Sequence, residues 1–357
     1  MFRDIIGQQL ALDLLQKALA GSRLAQAYLF YGPSGVGKRL TALQFTKALY
    51  CLSARNDACD ACSICRKIDA NNHPDIILIR PDNTTLKIEQ IRSLQHRLSY
   101  KPYEEQRITV ILDGCEHLTP PAANALLKTL EEPPSNALLI LLTSNREALP
   151  LTLVSRCQLV PFRPLAASHI GTILTRQGIA SDTARLAASL AEGRLDRCIP
   201  ETFDRMLATR QQAYTILQEV TQPHQIAAFL QARQLAGSRQ QCEELLRWLS
   251  LFCRDLTILK IAPQTGLYHR DLRSELLPLA QCLPLAGLLD AFSLIQHRRI
   301  SLSLYGNPQL IFEQVMVELQ QLFLASAEVP RRSEMHRATL EKSLTGQIPW
   351  PEFRVTR

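Results

Sequence analysis

Gly32-Pro33-Ser34-Gly35-Val36-Gly37-Lys38-Arg39 decides how the rest of the chain is read. An apolar run, Ala27-Tyr28-Leu29-Phe30-Tyr31, leads into it, and a helical pattern from Leu40 to Tyr50 follows. Strand, glycine loop and helix, in that order, are the context of a phosphate-binding P-loop. Gly32, Gly35 and Gly37 let successive backbone N–H groups turn toward one anion, and the new helix adds the positive end of its dipole. Lys38 is placed to reach the outer phosphates. A chance glycine-rich turn would lack both flanks. One position departs from the motif, which asks for Ser or Thr after the lysine to hold Mg²⁺. Here Arg39 stands there.

Working outward, Leu10, Leu12, Leu14, Leu15 and Leu19 give residues 8–20 the pattern of an amphipathic helix. Downstream, Ile76-Ile77-Leu78-Ile79 reads as a short buried strand, and residues 86–99 carry Ile88, Ile91, Leu94 and Leu98 at helical spacing. Ile108 to Asp113 reads as a second buried strand. A helix is expected from about Pro120 to Glu132, with proline at its start and Pro133-Pro134 as its stop. Ala137 to Thr143 follows as a third strand. Nearly all-apolar strands alternating with helices imply a parallel sheet covered on both faces. The pattern ends near Pro161-Phe162-Arg163-Pro164, beyond which no strand signal is found. Residues 165–208 read as short helices and 209–325 as longer amphipathic ones. The tail, 331–357, holds Arg331, Arg332, Arg337, Lys342, Arg354 and Arg357 against Glu334, Glu341 and Glu352, with few large apolar residues. It is expected to be a basic, disordered extension.

The 357 residues are 46% hydrophobic and 20% charged, which suits a soluble chain of roughly two to three domains. A net charge of +7 permits nucleic-acid contact without demanding it. The start of the chain has no signal-peptide pattern, and runs such as Ala137 to Leu142 are too short to span a bilayer, so a cytoplasmic protein is expected. Ten cysteines then argue for reduced thiols or metal, not a disulfide framework. Four of them, Cys51, Cys59, Cys62 and Cys65, fall within fifteen residues. Thiolates at that spacing suit a tetrahedral, closed, structural zinc site.

Asp113 ends an apolar strand, where a P-loop protein carries its metal-side carboxylate; a strand-end Asp also serves as a turn or cap residue. The next residue is Gly114, and Glu116 sits at an unsuitable offset to polarise an attacking water. Arg39 and Gly114 each remove a group that hydrolysis needs, so a weak or absent ATPase is expected. Ser155-Arg156-Cys157 lies at the far edge of the α/β region, where Arg156 is either a surface charge or an arginine that reaches a neighbour's site.

Several stretches together resemble the clamp-loader subunits of bacterial DNA polymerase III. They are Asp4-Ile5-Ile6-Gly7-Gln8, Ala27-Tyr28-Leu29-Phe30, the four cysteines, His73-Pro74-Asp75, Ala123 to Pro134, Leu149-Pro150 with Ser155-Arg156-Cys157, and Asn307-Pro308-Gln309-Leu310. The resemblance covers residues 1 to about 165 most strongly. It implies a RecA-like AAA+ domain over 1–165 with a zinc module at 51–65, a helical lid over 166–208 and a helical collar domain for oligomerisation over 209–330. It also implies a nucleotide site at Gly32, Gly35, Gly37, Lys38, Arg39, Asp113 and Thr143 or Ser144, with ATP as its ligand if any nucleotide binds. Asp196 stands where the motor subunit of the family has an arginine. Arg156 aligns with the family's arginine finger, which acts in trans, and the four cysteines align with its zinc ligands. Arg39 and Gly114 depart from the gamma/tau motor and fit a non-motor subunit. The implied partners are gamma/tau and delta subunits and, through the assembly, a sliding clamp and primed DNA. Two other readings stand beside this one: an autonomous ATP-driven motor, and a zinc-containing DNA-binding module. The chain shows no carboxylate constellation for nucleotidyl transfer.

Overall fold

The computed structural model describes residues 1–21, 24–105, 107–222, 238–304 and 306–325. The tail at 331–357 lies outside the described residues. The chain divides into two compact units, Met1–Phe203 and Asp204–Arg357.

In the first unit, five parallel strands form one sheet in the order β2-β3-β4-β1-β5. They are β1 (Ala27–Tyr31), β2 (Ile76–Ile79), β3 (Ile108–Asp113), β4 (Ala137–Thr143) and β5 (Gln158–Pro161). The strand β5 pairs with β1 from Gln158 opposite Tyr28 to Pro161 opposite Tyr31. Its four residues begin with an exposed glutamine and end in proline, so no apolar alternation marks them. Successive strand side chains point to opposite faces, and each face is filled. Ala27 and Leu29 of β1 join Leu139 and Leu141 of β4 against α4 (Ile88–Leu98) and α5 (Pro120–Glu131). Tyr28 and Phe30, with Leu138, Ile140 and Leu142, turn the other way toward α1 (Gln9–Ala20) and α2 (Lys38–Tyr50). Both faces being dry is why β1, β3 and β4 read as nearly continuous apolar runs.

A short helix, α3 (Ser63–Asp69), closes the cysteine-rich segment. His73-Pro74-Asp75 has an architectural role. The buried Asp75 carboxylate accepts the N–H groups of Tyr103, Glu104 and Glu105 at 2.7, 2.7 and 2.9 Å, fixing the loop before β3. Burial pushes this carboxyl up, but those three N–H groups and Arg97 outweigh it and hold it below the usual range. After β4 come the single turn α6 (Leu151–Val154), then β5, then the helix pair α7 (Ala167–Arg176) and α8 (Ser181–Leu190), and a 3₁₀ turn at Leu195–Cys198. After Ile199 comes helix α9 (Pro200–Val220), so position 208/209 falls inside a helix.

The second unit is helical, with α10 (Arg239–Ile261), α11 (Arg273–Cys282), α12 (Leu285–Leu304) and α13 (Pro308–Ala325). Helix α10 is its centre: Leu245, Leu246, Trp248, Leu249, Phe252 and Leu256 are fully buried. Arg210 of α9 forks onto Asp271 through two bonds of 2.7 and 2.8 Å. Among the described residues, no single helix is long and apolar enough to cross a membrane.

A buried polar pair sits in this core. His269 stacks on Phe252, and its Nδ1 lies 2.9 Å from Asp255 Oδ2. Its Nε2 is buried with no hydrogen-bond partner among the described residues. Burial lowers the imidazole pKa, against the pull of Asp255. The ring is therefore neutral in the fold, while in the unfolded chain it takes a proton near the ordinary value of about 6.5. Below that pH the unfolded chain binds more protons, so stability falls as pH falls toward the folded-state value. Denaturant titrations at pH 7.5 and 5.5 should show this loss, at most about 1.4 kcal/mol per pH unit from this group. His269→Asn should flatten that part of the slope, and an unaltered slope in the variant would rule the group out as its source.

Candidate functional site

Strand β1 lies inside the sheet between β4 and β5, and its carboxyl end opens into a crevice. The register puts Tyr31 beside Thr143 and Asp113 beside Leu142, so the ends of β1, β3 and β4 meet there. Gly32 lies against backbone: a Cβ on it would stand 2.1 Å from the carbonyl oxygen of Phe162. Its N–H donates to Thr143 O at 3.3 Å. Gly37 caps α2 with φ at 96°, a left-handed angle that glycine adopts without strain. The buried Gln8 amide ties the loop down, donating to Val36 O at 3.2 Å and Arg163 O at 2.7 Å, while its oxygen accepts from Arg163 N at 3.1 Å.

The resulting cavity is about 1060 Å³. Gly35, Gly37, Lys38, Arg39, Asp113 and Thr143 line it, as the sequence reading groups them. Gly32 lies beneath, in the backbone network. Ser34, Glu116, Ser144 and Asp196 also line it. Lys38 folds back onto the loop, donating to Gly32 O at 2.5 Å and Pro33 O at 2.6 Å. Burial lowers its pKa, and Glu116, Asp113 and Asp196 oppose that shift. Burial raises the Asp113 carboxyl, with Arg80 and Lys38 pulling the other way. Arg39 is exposed at the start of α2 and presents a guanidinium where a hydroxyl would hold Mg²⁺.

Glu116 is in the site despite its offset. Gly114, with φ at 85°, turns the chain into a 3₁₀ turn at Cys115–His117. That turn carries the Glu116 carboxylate to Ser144, where it accepts the backbone N–H at 3.1 Å and bonds the hydroxyl. Burial raises Glu116, but these bonds outweigh it and keep it ionised.

Arg156 is not among the residues lining this cavity. It follows α6, about one-third exposed, with Nη2 2.7 Å from Glu131 Oε1 and Nη1 donating to Thr152 O at 2.9 Å.

The four cysteines form a second, separate cluster. Their Sγ atoms all lie within 4.8 Å of one another, and none is in a disulfide. Backbone N–H groups are aimed at the sulfurs: Cys59 N at Cys51 Sγ (3.3 Å), Cys62 N at Cys59 Sγ (3.2 Å) and Cys65 N at Cys62 Sγ (3.4 Å). Such donors stabilise thiolate, the form that binds metal. The N–H groups of Ala61 and Cys62 draw the Cys59 thiol down to about 6. The cluster can hold one metal ion. The segment is tied to the body through Asp60, which accepts from the buried Lys47 of α2 at 2.9 Å.

Sheet order, P-loop and the helical second unit define an AAA+ P-loop protein. Residues 7–166 match the family described as DNA polymerase III, delta subunit, and residues 205–321 match the family described as DNA polymerase III, delta subunit, C terminal. DNA polymerase III subunit delta' of Bacillus subtilis (strain 168) is 31% identical over 268 residues, 74% of this chain and 82% of that protein. DNA polymerase III subunit tau of the same organism is 27% identical over 354 residues, 91% of this chain and 62% of that one. A solved gamma subunit-related protein of Thermotoga maritima aligns at 16% identity over 87% of this chain and 99% of its own, with a low TM-score of 0.39. The chain belongs to the DNA polymerase III delta-prime subunit family.

Proposed function

We propose that the chain works in the clamp loader of the DNA polymerase III holoenzyme, as the delta-prime subunit that helps place a sliding clamp on primed DNA. Similarity to the Bacillus subtilis delta' subunit across 82% of that protein carries this reading. Its partners are then gamma/tau and delta subunits, with clamp and primed DNA met through the assembly in the cytoplasm. The P-loop domain then runs over 1–165, the helical lid over 166–208 and the collar for oligomerisation over 209–330.

In this role the chain is a weak or inactive ATPase. Arg39 at the metal position and Gly114 after Asp113 support that, whether or not ATP enters the cavity. Arg156 acts in trans, on the ATP of an adjacent motor subunit. Its exposure outside the cavity of its own chain supports that placement. The metal held by Cys51, Cys59, Cys62 and Cys65 is structural zinc. Thiolates favour it, and a four-sulfur shell leaves no open position for catalysis.

Reconstitution tests the assignment. A mixture of gamma/tau, delta, clamp and primed DNA should load clamps only when this chain is added, and the isolated chain should hydrolyse ATP with Mg²⁺ negligibly. Loading that proceeds equally well without the chain, or motor-like turnover by the chain alone, would overturn it.

A further inference from the structure

We infer that Asp196 is the residue that excludes nucleotide from this chain's P-loop, its carboxylate seated on the Ser34–Gly35 turn in place of an external anion. The inference rests on reading Gly32–Lys38 as a phosphate cradle, and is independent of the role of Arg156.

Three observations within the first unit carry it. The 3₁₀ turn holding Asp196 is pinned to the loop by backbone, with Leu195 N donating to Gly35 O at 2.9 Å. The carboxylate itself packs on Gly35, where a Cβ would stand 2.1 Å from Asp196 Oδ1. Arg194 holds the same carboxylate from behind through Nη2 at 2.8 Å and Nε at 3.3 Å. The group is therefore fixed, not sweeping through solvent.

Its charge is placed to matter. A P-loop attracts phosphate because N–H dipoles and one lysine concentrate positive potential at its mouth. Here Asp113, Glu116 and Asp196 line one cavity with Lys38, whose ammonium is already turned inward to Gly32 O and Pro33 O. Burial raises the Asp196 carboxyl, but Arg194 and Ser34 outweigh it, so it is ionised at neutral pH. A polyphosphate entering the cradle meets a like charge on Gly35. Arg39 supplies no hydroxyl for the Mg²⁺ that would neutralise that repulsion. The result is a P-loop that already carries a fixed internal anion against Gly35.

Titration of the full chain with a fluorescent N-methylanthraniloyl ATP and Mg²⁺ tests this. Asp196→Ala should bind the probe at least about tenfold more tightly than the natural chain, the order of effect of one close like charge. Asp196→Asn, which keeps the shape and the Arg194 side of the contact, should gain less but in the same direction, and guards against misfolding of the alanine variant. Adding Lys38→Ala to Asp196→Ala should return affinity to the starting level. Equal affinity in the natural chain and both Asp196 variants, including none in any of them, overturns the inference. A gain that survives Lys38→Ala places the probe outside the cradle and overturns the cradle reading with it.

Discussion

Arg156→Ala should leave the chain folded and assembled but cut turnover at the adjacent motor's ATP site by about 10³–10⁵-fold, the range an arginine finger contributes. The side chain is ready for such a transfer. It stands just after the α6 turn, whose first residue, Leu151, is 84% exposed. Its present partner is Glu131, itself half-exposed, and a pair of that kind is worth about 1 kcal/mol or less. Exchanging one carboxylate for a phosphoryl group with developing charge is thus easily favourable. Arg156→Lys should rescue little, because an ammonium lacks the planar fork that spans two oxygens. Glu131→Gln should keep catalysis, since it loosens the arginine without removing it. Single-turnover ATP hydrolysis by the reconstituted complex, with size-exclusion chromatography to verify assembly, reads all three. An unchanged rate for Arg156→Ala would sink the role.

Cys59→Ser with Cys62→Ser should abolish metal binding and unfold the 51–69 segment while the sheet persists. Tetrahedral zinc with Zn–S near 2.3 Å sets sulfurs about 3.8 Å apart. The Cys59 and Cys65 sulfurs are 4.0 Å apart and all four lie within 4.8 Å of one another, so closing the shell draws the sulfurs together by an ångström or less. The segment offers little else to hold it, with Ala58, Cys65 and Ile68 its buried apolar residues. Structural zinc contributes on the order of 10–16 kcal/mol of apparent binding in small zinc modules, which is then folding energy for the segment. Lys47, in the last turn of α2, anchors it to the body by pairing with Asp60 and Asp69. Metal analysis should give about one zinc per natural chain and none in the double variant, where limited proteolysis should cut between residues 51 and 69. Absence of metal from the natural chain would end the claim.

The sheet was largely legible because its chemistry is local. Ile76–Ile79, Ile108–Asp113 and Ala137–Thr143 are apolar on both faces, and the structure starts and ends the three strands at those residues. Helix α5 was bounded by its own prolines. Strand β5 carried no such signature, because it is defined by pairing with β1, over a hundred residues earlier. The lid–collar border at 208/209 was drawn from a change in helix length, yet α9 runs through it with no Gly or Pro after Pro200 to stop it. Glu116 was set aside because residue offsets assume an extended chain, whereas Gly114 folds that chain back. Asp196 was noticed as a charge out of place, but only tertiary packing shows that it rests on Gly35. The His269–Asp255 pair gave no sequence signal at all, since burial makes it notable and burial is a property of the whole fold.

The sheet order also sets a timetable for synthesis. Strand β1 emerges early, but both its neighbours come late: Ala27 pairs with Leu139, and Tyr28 with Gln158. At ribosomal speeds of about 5–20 residues per second, β1 waits roughly 5–25 s for its first edge to be covered. The P-loop strand is therefore laid down as an unpaired apolar ribbon and acquires its shape last, when Gln8 can close on Arg163. Long-range closure of this kind slows folding and lengthens exposure of sticky edges. For the nascent chain, the segment that decides the fold is also the one longest at risk of aggregation.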